Sequence, residues 1–368
     1  MDNIEEYLKS GRMFYRPFCN AEEIERIYNV QNTEDYLLKM RADEIADHVR
    51  LYRVMRRRIQ KNSSSWNFTE HFSKKEFTNY LSNISLNLRK ELKKITKGFV
   101  FSNEPNGNII KTDYGKIIII SESLQYFLYY MNLFFLECFP QEVPDTVRVA
   151  ALRIAIRIML KKEAMDFELD PRGIIPKEID KLLKLYTREQ IEFVIGHEYA
   201  HYYLNHFDDK NIIEKSLFSN LKNDEEISDN IHTHKFYTHF QEEEFDADLN
   251  SLLTPNYSRA KLSRKVDKAI LFFIYLSIYE EIEKYFYAPS AIKTHPSSED
   301  RLKHILEKTA SKILIDDKSI KQYFTKLNIT KNFINEDVSE HDDEIYGFYG
   351  SLYLDSWRGP VLRDRIDY

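Results

Sequence analysis

His197-Glu198-Tyr199-Ala200-His201 is the stretch on which the reading of this chain turns. Side chains four residues apart on an α-helix lie one above the other, so His197 and His201 share a face where their imidazoles can hold one zinc ion. Glu198 leans toward the same region, within reach of a water at the metal without being a ligand itself. The chemistry implied is metal-assisted hydrolysis with Glu198 as general base. With 11 His among 368 residues, random placement produces this pattern in roughly one such chain in thirty, so its surroundings have to raise its weight. Thr187 and Gln190 have the spacing of a capping box. A helix starting there would be lined by Ile191, Val194, Ile195, Ala200 and Leu204 and would carry the motif near its middle.

Two imidazoles leave a zinc ion short of a ligand. A metzincin would place a Gly at position 204 and a third His at 207; the chain has Leu204 and Phe207, with His206 out of register, which excludes that class. The other source is a carboxylate on a separate helix, and Glu242-Glu243-Glu244-Phe245-Asp246-Ala247-Asp248 supplies one. Glu244 and Asp248 lie one turn apart. In that register Glu244 completes a His2Glu set with a position left open for water, and Asp248 accepts a hydrogen bond from the second nitrogen of a ligand histidine. Ala247 then gives room for close packing, whereas pairing Glu242 with Asp246 would put bulky Phe245 there.

Three motifs in order carry a family resemblance: Gly196-His197-Glu198-Tyr199-Ala200-His201, then Glu244 with Ala247-Asp248, then His295-Pro296 with Arg301. They resemble the zinc peptidases of the HtpX and CAAX-prenyl-protease type, which are gluzincins, over residues 100–305. The resemblance implies that His197, His201 and Glu244 ligate zinc and that Glu198 is the general base. By the same likeness His295 lies near the metal, stabilising the oxyanion or closing the open position as a gate, and Arg301 supports the site from behind. It also implies that the strand expected at Lys116 to Ser121, after a turn at Glu104-Pro105-Asn106-Gly107-Asn108, lies at a sheet edge and pairs with an extended substrate. The long, largely helical stretch between Ser121 and His197 departs from the family pattern. The phage-exclusion peptidase Lit is similar in the pentapeptide alone, and Asp248 stands where ImmA-like peptidases usually carry Asn.

Composition sets the surroundings. A chain of this length with 43% hydrophobic residues can bury a large core. A net charge of -6 gives no general drive toward nucleic acid. The cationic cluster Arg53, Arg56, Arg57, Arg58 and Lys61 reads as a solvated face. Cys19 and Cys138 are too few for a disulfide framework and point to a reducing compartment. Met-Asp-Asn-Ile-Glu-Glu lacks the character of a signal peptide, so a cytoplasmic protein is expected. Leu124 to Phe139 and Ala269 to Tyr279 are too short or too interrupted to span a bilayer and read as buried helices, and the 25 Tyr and 24 Phe as core and groove lining.

The expectation is an α+β, mainly helical protein: a helical N-terminal region (1–98), a zincin-like catalytic domain with a small edge sheet (99–310) and a C-terminal extension (311–368) whose tail carries no interpretable motif. Glu34 to Lys61 reads as one long helix, and Ser73 with Glu76 as the cap of another reaching Lys97. Residues 208–240, with His232, His234 and His239, read as a mobile loop over the cleft. The function expected is that of a zinc endopeptidase, with one zinc per chain, acting on a protein or peptide substrate, without nucleic acid or a membrane span. The alternatives are a zincin-shaped binding or regulatory protein with structural zinc and, by analogy only, a phage-defence or stress-triggered protease.

Overall fold

The computed structural model describes residues 11–62, 66–206, 215–216, 239–287 and 296–359. Helices come first: α1 (Ala21–Tyr28), α2 (Thr33–Asp47), α3 (Val49–Lys61), α4 (Phe68–His71), α5 (Lys75–Ser82) and α6 (Leu86–Leu92). The capping box expected elsewhere occurs on α1, where Asn20 accepts from the Glu23 amide and Glu23 from the Asn20 amide. Glu34 to Lys61 is two helices rather than one, broken where His48 is extended at φ -126 and ψ 105. The helix expected from Ser73 to Lys97 also breaks, into α5 and α6, and ends before a strand.

That strand is β1 (Thr96–Val100), followed by β2 (Gly107–Thr112) and β3 (Gly115–Ser121). The sheet order is β1-β3-β2-β4, with β3 parallel to β1 and antiparallel to β2. The expected edge strand is therefore an interior one. Ile117-Ile118-Ile119-Ile120 explains the difference: a continuous β-branched run with no polar alternation suits a strand covered on both faces. Helix α2 covers one face, where Leu37 joins Val100, Ile110 and Ile117 in a buried cluster and Arg41 Nε donates to the Phe99 carbonyl at 2.8 Å.

Beyond the sheet come α7 (Glu122–Phe135), α8 (Asp145–Met159) and α9 (Lys177–Tyr203). After the two-residue β4 (Lys215–Ser216) follow α10 (His239–Leu253), α11 (Arg259–Phe286), α12 (Ser298–Thr309) and α13 (Asp317–His341). The expected buried helices correspond to α7 and the middle of α11, whose residues Ala269 to Tyr279 are all buried. Thr187 and Gln190 do not start the active helix. They lie mid-helix in α9, with the chain entering at Pro176, and both accept from Asn132 Nδ2 of α7, at 3.2 and 2.8 Å. Tyr275 of α11 donates to Asn132 Oδ1 at 2.9 Å. These polar side chains thus tie three helices together inside the core.

One core contains Phe18, Tyr199 and Leu354 and so draws on all three stretches into which the sequence was divided; β1 crosses the 98/99 boundary. The tail is built in as well. Gly350 bridges to Glu163, and the fully buried Glu163 takes Arg157 at 3.0 Å and Arg172 at 2.7 Å. Arg157 also donates to the carbonyls of Ile345 and Phe348. Of the cationic cluster, Arg53, Arg56, Arg57 and Lys61 are exposed as expected, but Arg58 is buried between Glu122 and Glu168, each 2.6 Å away.

Candidate metal centre

Toward the end of α9, Glu189 to His201 are buried without interruption, and Tyr202 and Tyr203 that close the helix are half-buried. Close neighbours do this: α5 on one side, β2 across the face, and α10 alongside. At Gly196 an added Cβ would come within 2.5 Å of the Tyr80 ring of α5 and 3.1 Å of Ser251 of α10. At Gly107, where β2 crosses the helix, it would meet Val194 at 2.6 Å. Both glycines are there for close approach.

Within this enclosure His197 Nε2 and His201 Nε2 are 3.0 Å apart, their rings edge to face. Glu244 of α10 lies over them, 3.2 Å from His201 Nε2 and 3.5 Å from His197 Nε2. All three residues are buried. Glu242 and Asp246 are exposed, and Ala247 is fully buried at the contact with α9. Donors about 2.0–2.1 Å from a tetrahedral zinc lie about 3.3 Å from one another, so separations of 3.0, 3.2 and 3.5 Å suit one such ion. The remaining ring nitrogens are engaged elsewhere: His197 Nδ1 lies 2.9 Å from Asp248 Oδ1, and His201 Nδ1 lies 2.9 Å from His206 Nδ1. Both Nε2 atoms are thereby left facing Glu244 and each other.

Asp248 is gripped by Arg301 of α12, Nε to Oδ2 at 2.7 Å and a terminal nitrogen to Oδ1 at 2.6 Å. The same guanidinium lies 3.2 Å from Glu244. Burial raises the Asp248 carboxyl, but Arg301 and His197 outweigh it and hold it below the ordinary range. For His197 burial disfavours the charged ring, and Asp248 with Glu244 more than reverse this.

Glu198, the next residue after His197, is 2% exposed. Burial and the neighbouring Glu244 push its carboxyl up to about 7, against His197, the Ile109 amide of β2 and Arg301, which pull it down. A divalent cation beside it would pull in the same direction. The strand over the site is thus β2, part of which the sequence reading placed in a turn. Its outer edge pairs with β4, Asn108 with Ser216 and Ile109 with Lys215.

His295 lies outside the described residues, as do His232 and His234 and the side chain of His239. The chain re-enters at buried Pro296, and Ser297 caps α12 by accepting from the Asp300 amide, which sets Arg301 in the first turn.

Residues 179–228 match the model of peptidase family M48. The match supports a zinc-dependent protease. It takes in the active helix and stops short of Glu244, Asp248 and Arg301, so the M48 likeness and the convergence of these three residues on the histidines are separate observations. No curated protein and no solved structure matches the chain significantly. His206 is the residue at this site to which the sequence reading gave no role.

Proposed function

We propose that this protein is a zinc-dependent endopeptidase that cleaves a protein or peptide held extended beside β2, and that it works in the cytoplasm. The observation that carries the reading is the convergence of His197, His201 and Glu244, three buried donors on two helices, immediately beside Glu198. The M48 match over the same helix supports it. Among the described residues no helix is long and apolar enough to cross a membrane, and Cys19 and Cys138 are both free.

His197, His201 and Glu244 would hold the zinc, which when bound supplies Lewis acidity at the scissile carbonyl and acidifies water. Glu198 takes a proton from the attacking water and delivers it to the leaving amine. Its burial beside Glu244 favours the protonated carboxyl and a bound cation favours the carboxylate, and these opposed influences suit a group that must take up a proton and then release it. Asp248 and Arg301 fix the His197 ring and keep Glu244 in place. The β2 edge offers backbone donors and acceptors to an extended chain, and a substrate strand there either continues from Lys215–Ser216 or takes its place.

The test is incubation of the purified, zinc-loaded protein with a proteome-derived peptide library and mass spectrometry of new termini. Cleavage within peptides that is abolished by a chelator and restored by zinc is expected. Zinc held tightly with no cleavage of any peptide or of folded protein mixtures would overturn the endopeptidase reading in favour of a binding role.

A further inference from the structure

Helix α9 does not simply stop after its second histidine. Asn205 turns into the left-handed region at φ 59, its amide donates to the Tyr202 carbonyl at 3.2 Å, and the His206 amide donates to the His201 carbonyl at 3.1 Å. This pair of bonds is a Schellman closure with Asn at the left-handed position, the commonest residue there after Gly. Its geometry folds the chain back so that the His206 ring comes against the His201 ring, centroids 5.0 Å apart and planes at 72°. The two Nδ1 atoms end 2.9 Å apart.

We propose that His206 is a positioning residue for the metal-facing imidazole of His201. Its Nδ1 accepts the Nδ1 proton of His201, which fixes the tautomer whose Nε2 carries the lone pair and locks the ring toward His197 and Glu244. His206 is not itself a ligand, because its Nδ1 is directed at the side of His201 opposite Nε2. The two zinc-facing imidazoles are thus oriented by different chemistry. Asp248, a buried carboxylate held by Arg301, serves His197, and an imidazole brought in by a helix-end turn serves His201.

The inference rests on His201 as a zinc ligand, and the experiment separates the two claims. Zinc affinity is measured by chelator competition for wild type, His201→Ala, His206→Ala, His206→Phe and His206→Gln, with thermal unfolding of each metal-free protein alongside. His201→Ala should lose the metal. His206→Ala and His206→Phe should bind zinc about 10- to 100-fold more weakly, the range for loss of a partner behind a ligand histidine, while His206→Gln, which keeps an acceptor, should recover much of the loss. Metal-free unfolding should differ little among the His206 variants. If His201→Ala keeps its zinc, the metal site itself is misassigned. If His201→Ala loses zinc while His206→Phe binds as tightly as wild type, or His206→Gln is no better than Phe, His206 is only a helix-end residue and the inference falls.

Discussion

Arg301 and Asp248 meet through two parallel hydrogen bonds, 2.7 and 2.6 Å long, at a point where both side chains are almost wholly buried and where Asp248 also meets His197. The guanidinium fork matches the carboxylate in a way that an ammonium cannot. This places a fixed anion behind His197 and a fixed cation beside Glu244, with three different helices meeting there.

Breaking that arrangement should therefore weaken the metal site without removing a ligand. Asp248→Ala is expected to lower zinc affinity by about 10- to 100-fold and to destabilise the fold by up to about 3–5 kcal/mol, because buried Arg301 loses its two-pronged partner and keeps only the more distant carboxylate of Glu244. Arg301→Lys should keep the charge but lose the fork, and so should retain only part of the wild-type affinity. Chelator competition and urea unfolding read the two effects. Wild-type affinity in Asp248→Ala would contradict the role given to the pair.

The acidic segment offers a contrast within one helix. Glu244→Ala should nearly abolish zinc retention, whereas Glu242→Ala, on the exposed side of α10, should leave it unchanged. Equal damage from the two would mean that α10 presents a different face to the histidines.

Space around the active helix gives a steric prediction. Gly196→Ala brings a Cβ to 2.5 Å from the buried Tyr80 ring, and overpacking of this kind costs about 1–3 kcal/mol. Because the clash is next to His197, zinc affinity should fall together with stability. Unfolding at the wild-type midpoint would show instead that Tyr80 can move aside.

Acid stability has an identifiable contributor far from the metal. Burial raises the Asp337 carboxyl, but hydrogen bonds from Arg153 and Tyr346 outweigh it and hold it below the ordinary range. A depressed carboxylate contributes stability that is complete above its unfolded value, about 3.9, and is lost as pH falls through the lower folded value. Asp337→Asn should therefore be less stable than wild type near neutrality, with the gap closing below about pH 4. Urea midpoints as a function of pH would show this, and a gap that persists unchanged in acid would contradict it.

How much of this was legible beforehand followed from how local each relation is. The pairing of His197 with His201 is fixed by helical spacing, and the choice of Glu244 over Glu242 followed from where Ala247 and Phe245 fall. Thr187 and Gln190 misled because a capping-box spacing and a buried hydrogen-bonding pair look alike in sequence; only the position of Asn132 on α7 tells them apart. Strand β1 was missed because Thr96-Lys97-Gly98-Phe99-Val100 is short and follows helical sequence, and its partner β3 is parallel and distant in the chain. Arg58 looked like part of a solvated face, and its acidic partners Glu122 and Glu168 could not be read from spacing. His206 did carry a signal: Asn205 is a good left-handed helix terminator, and the next residue would be expected to fold back onto the last turn.

The most direct test of the account is to measure bound zinc and peptide cleavage together in wild type, Glu198→Gln and Glu244→Ala. The account predicts about one zinc per chain in wild type and in Glu198→Gln, nearly none in Glu244→Ala, and full-rate cleavage in wild type alone, with Glu198→Gln slower by at least about 10²-fold. Full zinc in Glu244→Ala, or undiminished cleavage by Glu198→Gln, would contradict it.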